Sequence, residues 1–147
     1  MRLAQHIETH IHTGDAADTV TLDYEARFLR RKRLVSDAGE PFLVELAETQ
    51  SLSQGEGFRL DDGRIIAVIA AAEPLLAVRH GNLARIAWHV GNRHTPCQIA
   101  DDHILIREDK VLQAMLEGLG ASVTKVSAPF TPEGGAYGHG RTHGHEH

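Results

Sequence analysis

The sequence is poor in the features that mark disulfide-rich, secreted and membrane-spanning proteins. Its 147 residues include one cysteine, Cys97, so an internal disulfide framework is excluded and a reducing compartment is favoured. The longest uninterrupted apolar run, Ile65 to Ala72, falls far short of the roughly 20 residues that a membrane helix needs. No long apolar stretch follows the charge at Arg2, and we therefore expect no secretory signal, no membrane association and a cytoplasmic location.

Catalytic motifs and basic charge are also scarce. The sequence has neither a His-Glu-x-x-His motif nor a phosphate-binding loop, and no arrangement of nucleophile, base and oxyanion donors is evident. We therefore predict a protein that is not an enzyme. The formal net charge of -5 argues against general nucleic-acid binding, which needs a basic surface. The one basic run, Arg30 to Arg33, is most typical of a charged strand or turn in solvent.

Residues 1–73 have the pattern of a small β domain. The candidate strands are Thr19 to Leu22, Arg33 to Val35, Pro41 to Leu46, Gly57 to Leu60 and Arg64 to Ile69. Asp61-Asp62-Gly63 predicts a tight hairpin turn, because Asp-Gly favours the positive φ angles that such turns require. Glu73-Pro74 breaks the pattern, since proline lacks a hydrogen-bond donor, and we place the domain boundary there.

Residues 74–133 alternate predicted strands with two helices. In the first helix Leu83, Ile86, Ala87 and Val90 share one face, with Asn82 as N-cap and Gly91 as the stop. The second helix runs from about Lys110 to Leu119 after the cap Asp109, with Val111, Leu112, Met115, Leu116 and Leu119 facing inward. Candidate strands are Leu75 to Arg79, Cys97 to Ala100, His103 to Ile106 and Ser122 to Val126. The order βαββαβ is ferredoxin-like, so the chain is predicted to be α+β.

A histidine-rich tail, residues 134–147, follows these two domains. Four of the eleven histidines lie among its last nine residues, which include no apolar side chain: His139, His143, His145 and His147. Such a segment cannot bury itself, and we expect it to be flexible. Imidazole is a common ligand of Zn, Cu and Ni, so the composition favours metal binding over a merely disordered end. An expression tag would normally be an unbroken histidine run, unlike this tail.

A second candidate ligand, His94, lies between the first helix and the next strand. Its neighbours Gly91, Asn92 and Pro96 shape the backbone, which suits a surface ligand. From the residues alone, an imidazole that closes the turn by a hydrogen bond to a nearby carbonyl is the favoured interpretation. One imidazole is too few for stable transition-metal binding, and a two-fold dimer would supply His94 twice.

The stretch from Trp88 to Ile99, with Gly91-Asn92-Arg93-His94 at its centre, resembles the signature of the UreE family of urease accessory proteins, which act as nickel metallochaperones. The similarity extends to the β-rich N-terminal domain, the ferredoxin-like domain, Pro129 to Tyr137 and the His-rich end. The resemblance identifies His94 with the family's principal metal-binding histidine. It also implies a metal held between the two protomers of a homodimer, with His145 or His143 as the preferred further ligands.

The same resemblance implies a function. The protein would deliver Ni(II) to apo-urease, working with urease accessory proteins that include a GTPase. Its N-terminal domain would engage partner proteins or peptides, and this makes partner docking the second interpretation of Arg30 to Arg33, after a solvated strand or turn. Zn(II) and Cu(II) are alternative metals for this site, because imidazole ligands bind both. The alternative function is a histidine-rich protein for metal storage or buffering, with no dedicated delivery partner.

Several other side chains are weaker candidates for the metal site. His89 is more typical of a partly exposed residue near a helix end, Cys97 of a buried strand residue, and His103 of an outward-facing strand position. His6, His10 and His12 are a possible second cluster if their backbone brings them together. Some family members carry further histidines where this chain has residues 107–110, so those secondary sites are expected to be lost.

Overall fold

The computed structural model describes residues 1–12 and 14–134, which form two compact units divided between Ala71 and Ala72. The division falls two residues before the predicted boundary, and Pro74 lies inside a strand. The predicted flexible tail lies outside the described residues from position 135 onward. The architecture is α+β, with ten strands and two helices among the described residues.

The first unit is a six-stranded mixed sheet. Its strands are β1 (Arg2–Glu8), β2 (Asp18–Leu22), β3 (Phe28–Val35), β4 (Pro41–Ser51), β5 (Gly57–Leu60) and β6 (Ile65–Ala70). They lie in the order β2-β6-β5-β1-β4-β3. The β1/β4 and β2/β6 pairs are parallel, and the other pairs are antiparallel. All five predicted strands are present, although β3 and β4 extend beyond their predicted ends.

Alternating side chains build the core of this unit. Along β4, Phe42, Val44 and Leu46 are buried while their neighbours are more exposed, which is the period-two pattern of a strand with one covered face. The Phe42 and Phe58 rings pack with their centroids 5.8 Å apart. The backbone of Gly57 lies so close to the neighbouring strand β6 that a Cβ at this position would clash with the Ile66 carbonyl oxygen. Only glycine fits at this point in the sheet.

The predicted hairpin is confirmed between β5 and β6. The Leu60 N–H donates to the Arg64 carbonyl over 2.8 Å, and Gly63 has the positive φ of 90° that the turn requires. The Asp62 carboxylate accepts from the Arg64 backbone and guanidinium, and Arg64 also reaches both carboxylate oxygens of Glu40. The local turn residues therefore position an arginine that ties this hairpin to the start of β4.

A buried arginine that no sequence pattern predicts holds two connecting segments of the first unit together. Arg27 is 2% exposed, and its guanidinium donates to the carbonyls of Leu52 and Leu22, each over 3.0 Å. It also lies over the Tyr24 ring. These two hydrogen bonds to carbonyl oxygens offset part of the cost of burying the charge, and they join the segments at Leu22 and Leu52, which are distant in sequence.

The second unit has the predicted element order βαββαβ. Its elements are β7 (Ala72–Arg79), α1 (Leu83–Asn92), β8 (Gln98–Ile99), β9 (Ile104–Arg107), α2 (Lys110–Gly118) and β10 (Ser122–Pro129). The sheet order is β10-β7-β9-β8, and every pairing is antiparallel. Ile86 and Val90 of α1 and Leu112 and Leu116 of α2 join the core that the sheet provides. Neither described helix is long and apolar enough to span a membrane.

The predicted helix starts are confirmed, and two details near the helices are wrong. Asn82 accepts from the Arg85 N–H and Asp109 from the Leu112 N–H, as N-caps do. Gly91, however, lies within α1, which ends at Asn92 with Arg93 as its C-cap. Val111 is 68% exposed, because it is rotated about 100° around the helix from the buried Leu112.

Candidate metal site

His94 lies in the loop after α1 with a left-handed backbone, φ 56°. The loop is closed by main-chain groups: the His94 N–H donates to the Gly91 carbonyl over 2.9 Å and the Thr95 N–H to the Val90 carbonyl over 3.3 Å. Val90 is fully buried in the core of the second unit, so the loop is attached to a rigid point. The end of α1 thereby fixes the backbone position of His94, from which the imidazole side chain extends.

The His94 side chain is exposed and makes no hydrogen bond or ion pair to the residues that the structure describes. One of its two interpretations, in which the imidazole closes the turn on a carbonyl, is therefore wrong, since backbone groups close it. A left-handed conformation costs a residue other than glycine roughly 1 kcal/mol or more, and such strain is typically found at functional positions. Both ring nitrogens of His94 stay available to a ligand.

His89, in the last turn of α1, has a different environment. Its ring is half-buried and meets the Trp88 ring edge-on, with centroids 5.0 Å apart and planes perpendicular. Trp88 itself is 64% exposed. The surroundings of His89 match the predicted partly exposed helix residue near a C-terminal end.

Cys97 precedes β8 and packs against the core of the second unit. Burial raises the pKa of its thiol, and the negative charge of Glu133 raises it further. Metals bind the thiolate form, so this shift makes Cys97 a weaker ligand at neutral pH. The buried-residue interpretation of Cys97 is supported over the ligand interpretation.

The backbone of Cys97 has a separate role, because it anchors the last described segment of the chain. The Glu133 N–H donates to the Cys97 carbonyl over 2.8 Å, and the Thr131 N–H donates to the Gln98 side chain over 2.9 Å. Residues 131–133 are therefore held against the start of β8, a few positions beyond His94. The tail histidines His139, His143, His145 and His147 lie outside the described residues and stay predictions.

Two further histidines of the second unit are engaged with neighbouring groups. His80, which the sequence did not single out, accepts from the Asn82 N–H at Nδ1 (2.8 Å) and donates from Nε2 to the Leu119 carbonyl (3.2 Å). It links the C-terminal end of α2 to the N-cap of α1. The prediction of His103 as a strand residue is wrong by one position, because β9 begins at Ile104, and the His103 Nδ1 donates to Asp102 over 2.6 Å. That hydrogen bond is the main cause lowering the pKa of Asp102.

The N-terminal histidines do not form the second cluster that their spacing suggested. His6 lies on β1, while His10 lies beyond the strand with a positive φ of 55°. Within residues 1–12 and 14–134, no group of three or more His, Cys, Asp or Glu side chains is placed to hold a metal ion. A site with several ligands therefore needs groups from beyond the described part of one chain.

Fold and site together define a two-unit α+β protein that presents a surface histidine on a shaped loop. Comparison with known proteins identifies the family to which the chain belongs. Residues 2–71 match the family pattern described as UreE urease accessory protein, N-terminal domain, and residues 73–147 match that of its C-terminal domain. The chain belongs to the UreE family of urease accessory proteins.

Curated relatives are similar over nearly the whole chain. The urease accessory protein UreE of Ruegeria pomeroyi is 58% identical over 136 residues, covering 92% of this chain and 91% of the relative. The UreE of Rhodobacter capsulatus is 61% identical over 132 residues, covering 90% and 84%. That of Paracoccus denitrificans is 63% identical over 123 residues, covering 84% and 79%.

Proposed function

We propose that this protein binds Ni(II) and delivers it to apo-urease during assembly of the urease active site. It acts without catalysis, by ligand exchange, together with urease accessory proteins that include a GTPase. Membership of the UreE family supports a role in urease maturation. The observation that carries the proposal is the exposed, unpartnered imidazole of His94, held on a strained loop that backbone hydrogen bonds fix.

A homodimer would complete the site by bringing two His94 side chains to a two-fold axis. One imidazole is too few ligands for stable transition-metal binding, and the second protomer would supply another. Two large apolar side chains near His94 in the sequence support association: Trp88 is 64% exposed and Ile99 is 50% exposed. Burying such surface between protomers is favourable.

The tail would add ligands and gather ions. Its root at Glu133 is held by a hydrogen bond from the Glu133 N–H to the carbonyl of Cys97, three positions after His94 in the sequence. An extended chain spans about 3.3 to 3.6 Å per residue, so the ten residues that follow Glu133, ending at His143, reach up to about 35 Å. His143 and His145 are the preferred tail ligands, with His139 and His147 as further candidates. A tethered imidazole has a high effective concentration and still exchanges readily.

The first unit is proposed to bind partner proteins or peptides, leaving metal binding to the second unit and the tail. The division of labour is supported by the placement of His94 and the tail root in the second unit. Nickel as the native metal, in preference to Zn(II) or Cu(II), and a cytoplasmic location stay predictions.

A transfer assay separates delivery from storage. Nickel-loaded protein is mixed with apo-urease and the other accessory proteins, and urease activity is followed for the unchanged protein, His94→Ala and a deletion of Gly138 to His147. A chaperone with His94 at its exchange site loses transfer in the His94 variant and only weakens in the deletion. Equal loss in both variants would instead favour the storage function, with the tail as the main metal store.

Metal affinity is also expected to fall on acidification, because protons compete with the metal for imidazole nitrogens. Nickel titration calorimetry from pH 7.5 down to about pH 5 measures this. Affinity that stays constant over this range would contradict a site built from imidazoles.

A further inference from the structure

Strand β3 carries four consecutive basic residues along an edge of the first unit's sheet. We call Arg30, Arg31, Lys32 and Arg33 the basic edge. All four are exposed, and β3 is the last strand in the sheet order, with β4 as its only hydrogen-bonded neighbour among the described strands. An edge strand presents every second N–H and C=O group outward, where another chain can pair with them.

The opposite edge, β2, is already covered by the chain itself. The Asp37 N–H donates to the Thr19 carbonyl over 2.8 Å, and the Asp37 carboxylate accepts from the hydroxyls of Thr19 and Thr21 over 2.6 and 2.8 Å. The Thr21 N–H also points to this carboxylate. The turn after β3 thus occupies the outward groups of β2. Of the two edges in the described sheet, β3 is the open one.

The charges of the basic edge are not neutralised within the described residues. The ion pairs of the first unit engage Arg2, Arg59 and Arg64 instead. Glu45 is the register partner of Arg31 on β4, but the two side chains form no ion pair in the described structure. In a chain of net charge -5, this concentration of positive charge on one short strand is a local exception.

Two features oppose pairing of this edge with a second copy of itself. Lys32 is the register partner of the buried Val44, which places a charge on the core side of the edge strand, and the register shifts between Leu29 and Arg31. Inward charges and bulges are devices that blunt an edge against indiscriminate strand pairing, including pairing with an identical chain. Four like charges facing four others would add repulsion. The complementary partner is therefore a chain of opposite charge.

We propose that the basic edge binds an acidic, extended segment of a partner protein, which adds to the sheet as a strand beside β3. Backbone hydrogen bonds would supply affinity and the basic side chains would select acidic residues. Alternate residues of a strand are about 7 Å apart, so carboxylates at every second position of the segment match Arg31 and Arg33. A nucleic acid offers no strand of amides to pair with the edge. The proposal gives chemistry to the partner-binding role of the first unit and does not depend on nickel.

The test uses the metal-free full chain and a fluorescent ten-residue peptide of alternating Glu and Val, followed by polarisation at low salt. The expected result is saturable binding that weakens about tenfold or more in Arg31→Glu/Arg33→Glu. The matched control, Arg85→Glu/Lys125→Glu, makes the same change in net charge at exposed basic residues of the second unit and should bind within about twofold of the unchanged protein. Circular dichroism verifies that both variants are folded.

Three further probes decide the binding mode. A peptide with N-methyl groups on alternate amides should bind at least about tenfold more weakly, because strand addition needs those donors. A Lys-Val peptide should not bind. Single-stranded DNA that binds as tightly as the acidic peptide, equal loss in the control variant, or no peptide binding at all would each overturn the proposal. Nickel binding measured on the same charge-reversed variant should be unchanged, which keeps this test separate from that of the metal site.

Discussion

His94 combines a backbone angle that most residues avoid with a side chain that the described fold leaves unused. Its location was predictable from the Gly-Asn-Arg-His sequence and the resemblance that this sequence carries. That its side chain makes no hydrogen bond within the described residues was not predictable, because the same sequence is compatible with an imidazole that closes the turn. The two interpretations differ in which groups donate hydrogen bonds to the carbonyls of Gly91 and Val90. In the structure the donors are the backbone N–H groups of Arg93, His94 and Thr95.

At the residue scale, His94→Gly is expected to separate ligation from folding. Glycine adopts a positive φ without strain, although it adds freedom to the unfolded chain, so the free energy of unfolding should be unchanged or rise by up to about 1 kcal/mol. Thermal unfolding and nickel titration of the same sample measure both properties. The variant should be fully folded and should lose high-affinity nickel binding. A variant that retains wild-type nickel affinity would remove His94 from the site.

At the scale of elements, local features were predictable and long-range ones were not. Asn82, Asp109 and the Asp-Gly hairpin act through neighbours a few residues away, so their roles are visible in the sequence. The run Arg30 to Arg33 is compatible with either a strand or a turn, and its strand conformation depends on pairing with β4. The connection made by Arg27 likewise depends on the carbonyl of Leu52, 25 positions away.

Gly91 tests how α1 ends. Because it lies inside the helix, without a positive φ and with open space where a Cβ would be, Gly91→Ala should stabilise the protein by about 0.5 to 1 kcal/mol. Calorimetric unfolding measures the change. Gly120→Ala is the matched control in the same unit: with φ 90° it should destabilise the protein by roughly 1 kcal/mol. A destabilising Gly91→Ala would show that glycine is needed there as a helix stop.

Asp37 makes the covered edge of β2 sensitive to acid. The hydrogen bond from the Thr19 hydroxyl is the main cause that lowers the pKa of Asp37 below its ordinary value. A carboxyl with a lowered folded-state pKa stabilises the fold above its unfolded-state pKa of about 3.9 and loses that contribution as the pH falls through the lower value. Asp37→Ala should therefore flatten the dependence of unfolding free energy on pH below about pH 5, measured by denaturant titration. Thr19→Val should flatten it in part, and an unchanged slope in both variants would contradict this role.

At the scale of the whole molecule, the sequence predicted the α+β class, the βαββαβ order of the second unit and the family. The resemblance covered both units because the relatives match nearly the full chain. The proposed ligand set was harder to predict, since a site shared between protomers would depend on residues that meet only after association. Residues 1–12 and 14–134 fix the His94 loop and Glu133, and they bring no group of three His, Cys, Asp or Glu side chains together.

Native mass spectrometry of the nickel-loaded full chain, His94→Gly and the deletion of Gly138 to His147 decides whether His94 holds nickel in a dimer, because it counts protomers and metals in one ion. The unchanged protein should be a dimer that holds nickel. His94→Gly should be a dimer without the tightly held nickel, and the tail deletion should be a dimer that retains that nickel and loses the weaker ions. A His94→Gly dimer that keeps the full nickel count, or a nickel-loaded monomer of the unchanged protein, would contradict a dimer that holds nickel through His94.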